Sequence, residues 1–478
     1  MMPSRGGVLS ALAFILTALA LAPLQSQALE DADVPRTNEN RTLYAIPVPL
    51  PYDSLQSAKP GIEKSTLEQT QFHLWSYISS DYDASKIKRA VVTLHGQGRD
   101  AWSYWDDTYD ALFNATSPTK RSSKSLSTST FKNRTSLKRD EVLILAPLFF
   151  NNQDTSAYQA LDEEFDSQSI VWNGGDWAEG ADSILPDTVY GSEEGQTFEA
   201  PKVSSYEALD EVVRWFSDKN VFPKMETVLI AGHSMGGQIA QRYALLGAVP
   251  SASTPVHFVV ANPGSFAWLT PERPEPVDDC PDTYNLWKYG LELSSDGTWS
   301  QRYLKSFIQQ SLDAKSEVLD VRVRYSEIRL VHYLFGLDDF GPGDTRCQAL
   351  TQGPHHLGRG QNFLQHLDTQ VLGPRREADA AQHGSDNLQG WGKASHTSDF
   401  VKGCSHDPMC MWLSKQGIER LFFTNADGEE GPRGVGDDDA VQAKWYPWGV
   451  NSATSHFPSW STSTMLGALA ASICVAWL

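Results

Sequence analysis

One stretch of the chain combines a short apolar run, a serine flanked by glycines and an amphipathic run. It reads TVLIAGHSMGGQIAQRYA from Thr227 to Ala244. The apolar part predicts a buried strand, and the helical spacing of the later apolar residues predicts a helix. A chain that passes so quickly from strand to helix must turn sharply, and Gly232 and Gly236 leave room for the two elements to approach each other. The hydroxyl of Ser234 is therefore expected to project from a strained turn at the edge of a sheet.

Strand-like and helix-like runs alternate along much of the chain, which is typical of an α/β protein with a mainly parallel sheet. The predicted strands besides Thr227 to Ala231 are Ala90 to Leu94, Val142 to Phe150, Val256 to Ala261 and Arg329 to Phe335. The predicted helices Ser204 to Asp218 and Gln238 to Leu246 have apolar residues on one face, so they can cover the sheet.

The G-x-S-x-G spacing around Ser234 is typical of a nucleophile at a strand-to-helix turn. A serine needs a base to take its proton and donors to stabilise the oxyanion that forms. The segment HGQG from His95 to Gly98 follows a predicted strand, so the backbone N–H of Gln97 is expected to act as an oxyanion donor together with that of Met235. His95 itself is expected to pack this loop and not to act as the base.

The acid of a serine triad is expected after a later strand. Asp338 and Asp339 follow the strand that ends near Gly336, and the spacing favours Asp339, with Asp338 as the alternative. A pair of solvated turn residues is the competing interpretation.

Of the twelve histidines, His406 fits the base best. It follows a predicted last strand at Asp399 to Val401 and precedes an amphipathic run, Met411 to Phe423, so it is expected on a loop at a strand end. The alternatives are His396, His383 and the pair His355–His356. The histidines lack the ligand spacing of a metal-binding helix, so no metal is predicted.

These segments, GHSMGG, HGQG, GLDD and GCSHD, occur in an order that resembles the α/β-hydrolase fold, and more narrowly the secreted fungal proteins of the alpha/beta hydrolase-1 type. The resemblance covers about Arg89 to Phe423 and implies an eight-stranded sheet, a Ser-His-Asp triad and no cofactor. It implies that Ser234 is the nucleophile, His406 the base and Asp339 the acid. Gln97 and Met235 would be the oxyanion donors. The sequence departs from the family's commonest form before the histidine, where it reads GCSH.

Two segments are interpreted as cap-like insertions, 151–201 and 266–325. The first is longer than the minimal fold requires, and the second, rich in Trp, Pro and Tyr, falls where this fold often carries a lid. The first contains WNGGDW, in which Trp172 and Trp177 are candidates for lining a substrate cleft. Packing within the loop is the alternative.

The two ends of the sequence are typical of an exported, anchored protein. Residues 1–28 resemble a cleaved secretory signal, with small residues before the cleavage position. Residues 465–478 are uncharged and apolar, which favours a glycolipid-anchor signal over a short tail anchor. A hydrolase domain is expected over 29–424, containing a disordered insertion at 117–139 rich in Ser, Thr and Lys, and an acidic linker over 425–464.

In an exported protein, the cysteines can form disulfides and the N-x-T motifs can be glycosylated. Cys280, Cys347, Cys404 and Cys410 form an even set that allows three disulfide pairings, while Cys474 lies in the apolar tail. Asn40, Asn114 and Asn133 each begin an N-x-T motif and are expected at the surface.

The composition and the motifs together limit the partners and the reaction that we expect. The formal net charge of −20 makes a nucleic acid an unfavourable partner. The expected reaction is hydrolysis of a small-molecule or lipid-like ester, at a membrane surface reached through the C-terminal anchor or tail. A peptidase or amidase of the same fold, or a catalytically idle binding protein of the cell surface, are the alternatives.

Overall fold

A computed structural model describes residues 27–49, 72–116, 137–190, 195–247, 254–292, 302–303, 321–323, 325, 329–372 and 396–423. The expected signal peptide, apart from residues 27 and 28, the linker 425–464 and the tail 465–478 lie outside these residues. So do His383, Asn133 and most of the insertion 117–139 and of the second half of the segment 266–325.

A sheet of eight strands runs through the described chain. Its members are β1 (Arg41–Val48), β2 (Phe72–Ser79), β3 (Arg89–Leu94), β4 (Val142–Pro147), β9 (Thr227–His233), β10 (Val256–Ala261), β11 (Leu330–Gly336) and β12 (His396–Val401). The strands lie in the order β1-β2-β4-β3-β9-β10-β11-β12. β2 pairs antiparallel with both β1 and β4, whereas every pairing from β4 to β12 is parallel. This is the mainly parallel sheet of the α/β-hydrolase fold that the sequence predicts.

The helices of the described chain pack on both faces of this sheet. They are α1 (Ala101–Thr116), α2 (Thr155–Phe165), α3 (Ser205–Ser217), α4 (Met235–Leu246), α5 (Val321–Val323), α6 (Cys347–Leu350), α7 (His356–His366), α8 (Pro408–Leu413) and α9 (Lys415–Ile418). Apolar residues of α3, α4 and α7 share one core cluster, and those of α1, α2 and α8 share the other. Because side chains alternate along a strand, Val92 and Val91 of β3 point into different clusters.

The parallel strands end at one edge of the sheet, and this edge receives the loops of interest. β3 ends before His95, β9 ends before Ser234, β11 ends before Asp339 and β12 ends before His406. In open α/β sheets, ligands bind outside the carboxyl ends of the strands. The topology therefore gathers at one edge four segments that are far apart in sequence.

The predicted segment Val142 to Phe150 is not one strand. β4 stops at Pro147, and Phe150–Asn151 forms the short strand β5, which pairs with β6 (Val171–Trp172). Pro147 has no N–H to donate to a neighbouring strand, which favours the end of β4 there, although the Leu148 N–H still donates to the Trp75 oxygen of β2 at 2.8 Å. β7 (Thr188–Tyr190) and β8 (Thr197–Glu199) form a separate hairpin in the remainder of this insertion.

Two disulfides, Cys280–Cys347 and Cys404–Cys410, settle which of the three pairings is formed. Of the N-x-T asparagines, Asn114 is exposed and Asn40 is partly exposed. None of the helices in the described part of the chain combines the length and the apolarity needed to cross a membrane.

Candidate active site

Ser234 occupies a strained turn between β9 and α4. Its φ of 59° and ψ of −122° lie in a region that residues other than glycine rarely adopt. The adjacent glycines allow this turn, because a Cβ on Gly232 would come within 2.0 Å of the Gly236 oxygen. A Cβ on Gly236 would come within 2.1 Å of the Leu94 oxygen at the end of β3. The sharp turn predicted from the sequence is thus formed, and only glycine fits two positions before and two positions after the serine.

Three side chains predicted from the sequence lie in hydrogen-bonding contact. The Oγ of Ser234 donates to Nε2 of His406 at 2.8 Å. The Nδ1 of His406 lies 2.8 Å from Oδ2 of Asp339, to which it donates. The imidazole therefore bridges the hydroxyl and the carboxylate, which is the arrangement needed to pass a proton from the hydroxyl.

Asp339 is fully buried at the end of β11, whereas its neighbour Asp338 is exposed. Burial alone would raise the pKa of the Asp339 carboxyl, but contacts with His356 and then with His406 hold it well below its usual value. The carboxylate is therefore charged at every pH at which the protein is expected to work. Of the two candidates left open by the sequence, the structure brings Asp339 to the histidine.

A short covalent loop carries His406. The disulfide Cys404–Cys410 spans six positions around it, and the Cys404 oxygen accepts from the Asp338 N–H at 3.0 Å. Asp407 accepts from the Cys410 N–H and so caps α8. The side chain of His406 retains 32% of its surface exposed. The loop that carries the imidazole is thus fixed, and the ring itself is accessible to solvent.

The loop from His95 to Gly98 is held by hydrogen bonds that orient one peptide group. The Gly96 oxygen lies 2.8 Å from Nδ1 of His95 and also accepts from the Arg99 N–H at 3.2 Å. In a trans peptide the N–H points away from the C=O, so the Gln97 N–H faces away from these donors. A Cβ on Gly96 would lie 3.6 Å from the Cβ of Ser234, which places this peptide beside the nucleophile.

His95 is a packing residue, as expected. Its Nε2 accepts from the Phe149 N–H at 3.0 Å while Nδ1 holds the Gly96 oxygen, which fixes the neutral tautomer. Burial lowers the pKa of His95 to about 3, so the ring stays neutral.

A buried ion pair braces the same loop from outside. The Nε of Arg99 donates to Asp154 Oδ2 at 2.8 Å, and one terminal nitrogen donates to the Gln97 oxygen at 3.0 Å. The Leu29 N–H donates to the other oxygen of Asp154 at 2.8 Å, and the Gln27 oxygen accepts from Arg99 at 2.6 Å. The beginning of the described chain is thereby tied to the loop of Gln97.

Asn262 joins three of the loops but was not among the predicted site residues. Its Oδ1 accepts from the Gly336 N–H at 2.8 Å, and its Nδ2 donates to the Ser405 oxygen at 3.2 Å. The same Nδ2 lies 3.3 Å from Nε2 of His233, directly before the serine. The sequence signal was present but short: an asparagine followed by Pro-Gly, directly after a predicted strand.

His406 lies between two further imidazoles. His233 is on one side with ring centroids 4.6 Å apart, and His356 stacks on the other side at 4.1 Å and 27°. Burial lowers the pKa of both flanking histidines, so both are neutral near pH 7. His356 is a weaker alternative base in the sequence; in the structure it lies beside Asp339, and His406 is the histidine that bonds to Ser234.

The remaining candidates are buried side chains. Trp172 and Trp177 are both buried, with at most 1% of their surface exposed. Trp177 stacks on Phe149 at 5.3 Å, and the Trp172 N–H donates to the Ala181 oxygen. Their proposed role in lining a cleft does not fit this burial, whereas a role in packing does. His396 is buried on β12.

Asp339, His356 and His406 present ligand atoms within 4.8 Å of one another, which is a spacing that could suit a metal. The 2.8 Å separation between Nδ1 of His406 and Oδ2 of Asp339 is that of a hydrogen bond, and Nδ1 of His356 lies 3.2 Å from Oδ1 of Asp339. Ligands of a tetrahedral zinc with bonds of about 2.0–2.1 Å lie about 3.3 Å apart. A metal on Nδ1 of His406 would also break its contact with Asp339. The absence of a metal from the reaction stays a prediction.

Carboxylates accumulate on one side of the site. Burial, followed by the charges of Asp407, Asp110 and Asp100, raises the pKa of Asp107 to about 7. Asp407 directly follows His406, and α1, which carries Asp107, packs against α8. The field at this side is therefore negative and depends on pH.

Comparisons with known proteins found solved structures only. No family model matches the chain, and no curated protein matches it. Similar structures include a poly(aspartic acid) hydrolase from Sphingomonas sp. KT-1, with 15% identity and a TM-score of 0.39, covering 80% of this chain and 98% of that one. A poly(3-hydroxybutyrate) depolymerase from Bordetella parapertussis has 18% identity and a TM-score of 0.39, covering 79% of this chain and 93% of that one. The carboxyl esterase 2 of Tuber melanosporum has 10% identity and a TM-score of 0.34, with coverages of 85% and 93%. These likenesses are too low to assign a family or a reaction.

Proposed function

We propose that the protein is a serine hydrolase that cleaves a carboxylic ester through an acyl-enzyme. The observation that carries this proposal is the pair of 2.8 Å contacts that link Ser234 to His406 and His406 to Asp339. The strained backbone of Ser234 supports the same role, because such strain persists mainly where function requires it.

In the acylation step, Nε2 of His406 takes the proton of Ser234 Oγ as the oxygen attacks the ester carbonyl carbon. Asp339 stabilises the imidazolium that forms and holds the ring in the tautomer with Nδ1 protonated. The backbone N–H groups of Gln97 and Met235 donate to the developing oxyanion, and loss of one such donor typically costs about 3 kcal/mol.

Collapse of the tetrahedral intermediate breaks the bond to the alcohol oxygen, which takes the proton from His406. Water then attacks the acyl-serine, and its proton passes to the same nitrogen. The second collapse returns that proton to Ser234 and releases the carboxylic acid. No cofactor is needed for either half.

The substrate is proposed to be a small-molecule or lipid-like ester. Phe340, which follows Asp339, is 62% exposed, and Met409, three residues after His406, is 44% exposed. Large exposed apolar side chains beside a reactive serine favour an apolar acyl or alcohol group. Turnover of p-nitrophenyl esters of increasing acyl length tests this preference.

A fluorophosphonate probe tests the reaction class. We expect the wild type to be labelled and Ser234→Ala to be unlabelled with its thermal unfolding nearly unchanged. Asp339→Asn should lower kcat by about 10³-fold or more, whereas the matched control Asp338→Asn alters an exposed carboxylate and should retain activity. An unlabelled wild type would favour the catalytically idle binding protein.

Peptide or amide hydrolysis by the same residues is the rival reaction. A p-nitrophenyl ester and a peptide anilide with the same acyl group separate the two. Faster turnover of the anilide would assign an amidase or peptidase.

We also propose that the protein is of the secreted fungal alpha/beta hydrolase-1 type. It would be attached outside the cell through a C-terminal lipid. The two disulfides support it, since such bonds persist in oxidising compartments. Phospholipase treatment of intact cells should release the protein, and retention would argue against the lipid.

A further inference from the structure

A second histidine contacts the carboxylate of Asp339 on the oxygen that His406 leaves free. The Nδ1 of His356 lies 3.2 Å from Oδ1 of Asp339, while His406 uses Oδ2. Both atoms are buried, and among the described residues neither makes an aligned hydrogen bond, with the other or with any third group. A buried donor and a buried acceptor without other partners are costly unless they serve each other.

The backbone around His356 is built to hold it there. The His356 N–H donates to the Gly341 oxygen at 3.1 Å, and the Leu357 N–H donates to the Asp339 oxygen at 3.2 Å. The first turn of α7 is thus bonded directly to the loop that carries the carboxylate.

A glycine of the neighbouring loop lies close to the opposite edge of the His356 ring. Gly343 has a φ of +55°, and a Cβ there would come within 2.4 Å of Nε2 of His356. The ring is therefore wedged between a glycine loop on the Nε2 side and Asp339 on the Nδ1 side. This placement, together with its stacking on His406 at 4.1 Å, does not depend on any protonation state.

We propose that His356 is a positioning residue, which donates from Nδ1 to Oδ1 of Asp339 and so orients that carboxylate for His406. The inference rests on the proposed serine hydrolase reaction. Without this donor, the carboxylate is free to rotate and to take up a proton more readily. The two atoms are close but poorly aligned in the free protein, and such contacts tighten as charge develops on the base.

Charges around His356 fit a neutral donor. Burial lowers its pKa, Asp339 opposes this, and the facing His406 and Arg359 lower it further. A neutral ring with the proton on Nδ1 is the form that can donate to the carboxylate.

The test compares His356→Phe, which retains an aromatic ring without a donor, with His356→Asn, whose side-chain nitrogen reproduces the position of Nδ1. His355→Asn is the matched control, because His355 accepts from the Gly358 N–H as a helix cap and asparagine can do the same. The measurements are kcat and KM for a p-nitrophenyl ester from pH 5 to 9, and thermal unfolding.

His356→Phe should lower kcat by about 10-fold, with KM nearly unchanged, and should move the acidic limb of the kcat profile to higher pH. His356→Asn should recover most of the rate, and His355→Asn should match the wild type. A His356→Phe enzyme with the wild-type rate and profile, or a His356→Asn enzyme as impaired as His356→Phe, would overturn the proposal.

A measurement on the wild type covers the case in which His356→Phe does not fold. Nitrogen-15 spectra of the histidine rings should show His356 protonated on Nδ1 between pH 6 and 8, with the signal assigned by its loss in His356→Asn. A proton on Nε2 instead would overturn the proposal. Fluorophosphonate labelling of the wild type keeps the outcomes distinct: if the label fails, the hydrolase proposal itself is wrong.

Discussion

The side-chain amide of Asn262 donates to the backbone oxygen of Ser405, one residue before His406, at 3.2 Å. The same side chain accepts from Gly336 and contacts His233, so a single buried residue braces the loops of the proposed nucleophile, acid and base. Its φ of 42° suits asparagine, aspartate or glycine.

Asn262→Asp retains the acceptor for Gly336 and tolerates this backbone, but it loses the donor to Ser405. We expect kcat to fall by about 10-fold and the free energy of unfolding to fall by about 1–3 kcal/mol. Asn262→Gly, which suits the backbone and removes both interactions, should be worse in both measurements. An aspartate variant with wild-type kcat would show that Ser405 is held by other contacts.

Removal of the disulfide Cys404–Cys410 should impair catalysis more than its short span suggests. Closing so short a loop contributes only about 2 kcal/mol of stability, but the loop holds His406. The double variant Cys404→Ser/Cys410→Ser should therefore lose several-fold in kcat, measured beside its urea unfolding curve.

Cys280→Ser/Cys347→Ser is the matched control for this prediction. Its loop spans 67 positions and should contribute about 4 kcal/mol. The loop includes Asp339, but that residue closely follows β11, which is held by pairing with β10 and β12, so its position should depend little on this disulfide. Equal losses of kcat in the two variants would mean that general destabilisation explains both.

The carboxylates near His406 should make the enzyme prefer cationic over neutral esters as pH rises. The pKa of Asp107 is about 7, so its negative charge develops between pH 6 and 8. One added charge near the site should raise the ratio of kcat/KM for a cationic ester to that of its neutral isostere by about 2-fold.

The substitution Asp107→Asn should abolish this rise, and 0.5 M salt should weaken it in the wild type. A ratio that is flat across this pH range in both proteins would remove Asp107 from the field felt by the substrate.

Acid should destabilise the fold through a buried histidine pair on neighbouring strands of the sheet, β10 and β11. Nδ1 of His257 lies 3.0 Å from Nε2 of His332, whose Nδ1 contacts Thr397. Burial lowers the pKa of His257 to about 3 and that of His332 well below its usual value. As pH falls below about 6.5, the unfolded chain binds protons that the folded chain does not, so stability decreases.

The expected loss is roughly 2 kcal/mol for each of these histidines between pH 7 and pH 5. It is measured by urea unfolding at the two pH values in the wild type and in His257→Asn. The variant should be less stable at pH 7 but should lose less between the two conditions. An equal loss in both proteins would assign the acid sensitivity to other groups.

Local sequence patterns predicted the centre of the fold well and its edge poorly. The strand at Val256–Ala261 has the predicted bounds, and the helix over Ser205–Ser217 differs from its prediction only in its cap residues. Strands β1 and β2 were not predicted individually. β1 contains Pro47 and lies at the sheet edge, where half-exposed residues weaken the apolar signal.

At the site, too, the residues in local patterns were predictable from the sequence, and those positioned by the fold were not. Ser234 stands in a local motif, and the spacing after a strand end favoured Asp339 over Asp338. The contact of His356 with Asp339 depends instead on how a loop of glycines turns the chain back onto its own carboxylate. Neither periodicity nor spacing encodes such a return, so only the three-dimensional structure reveals it.

The Arg99–Asp154 pair has a practical consequence for handling this protein. Its carboxylate holds the Leu29 N–H, and its guanidinium holds the Gln97 carbonyl. A recombinant form that starts downstream of Leu29 leaves Asp154 with one donor fewer, and Arg99 transmits the disturbance to the peptide beside the serine. Tags and truncations at this end should therefore be judged by turnover as well as by yield.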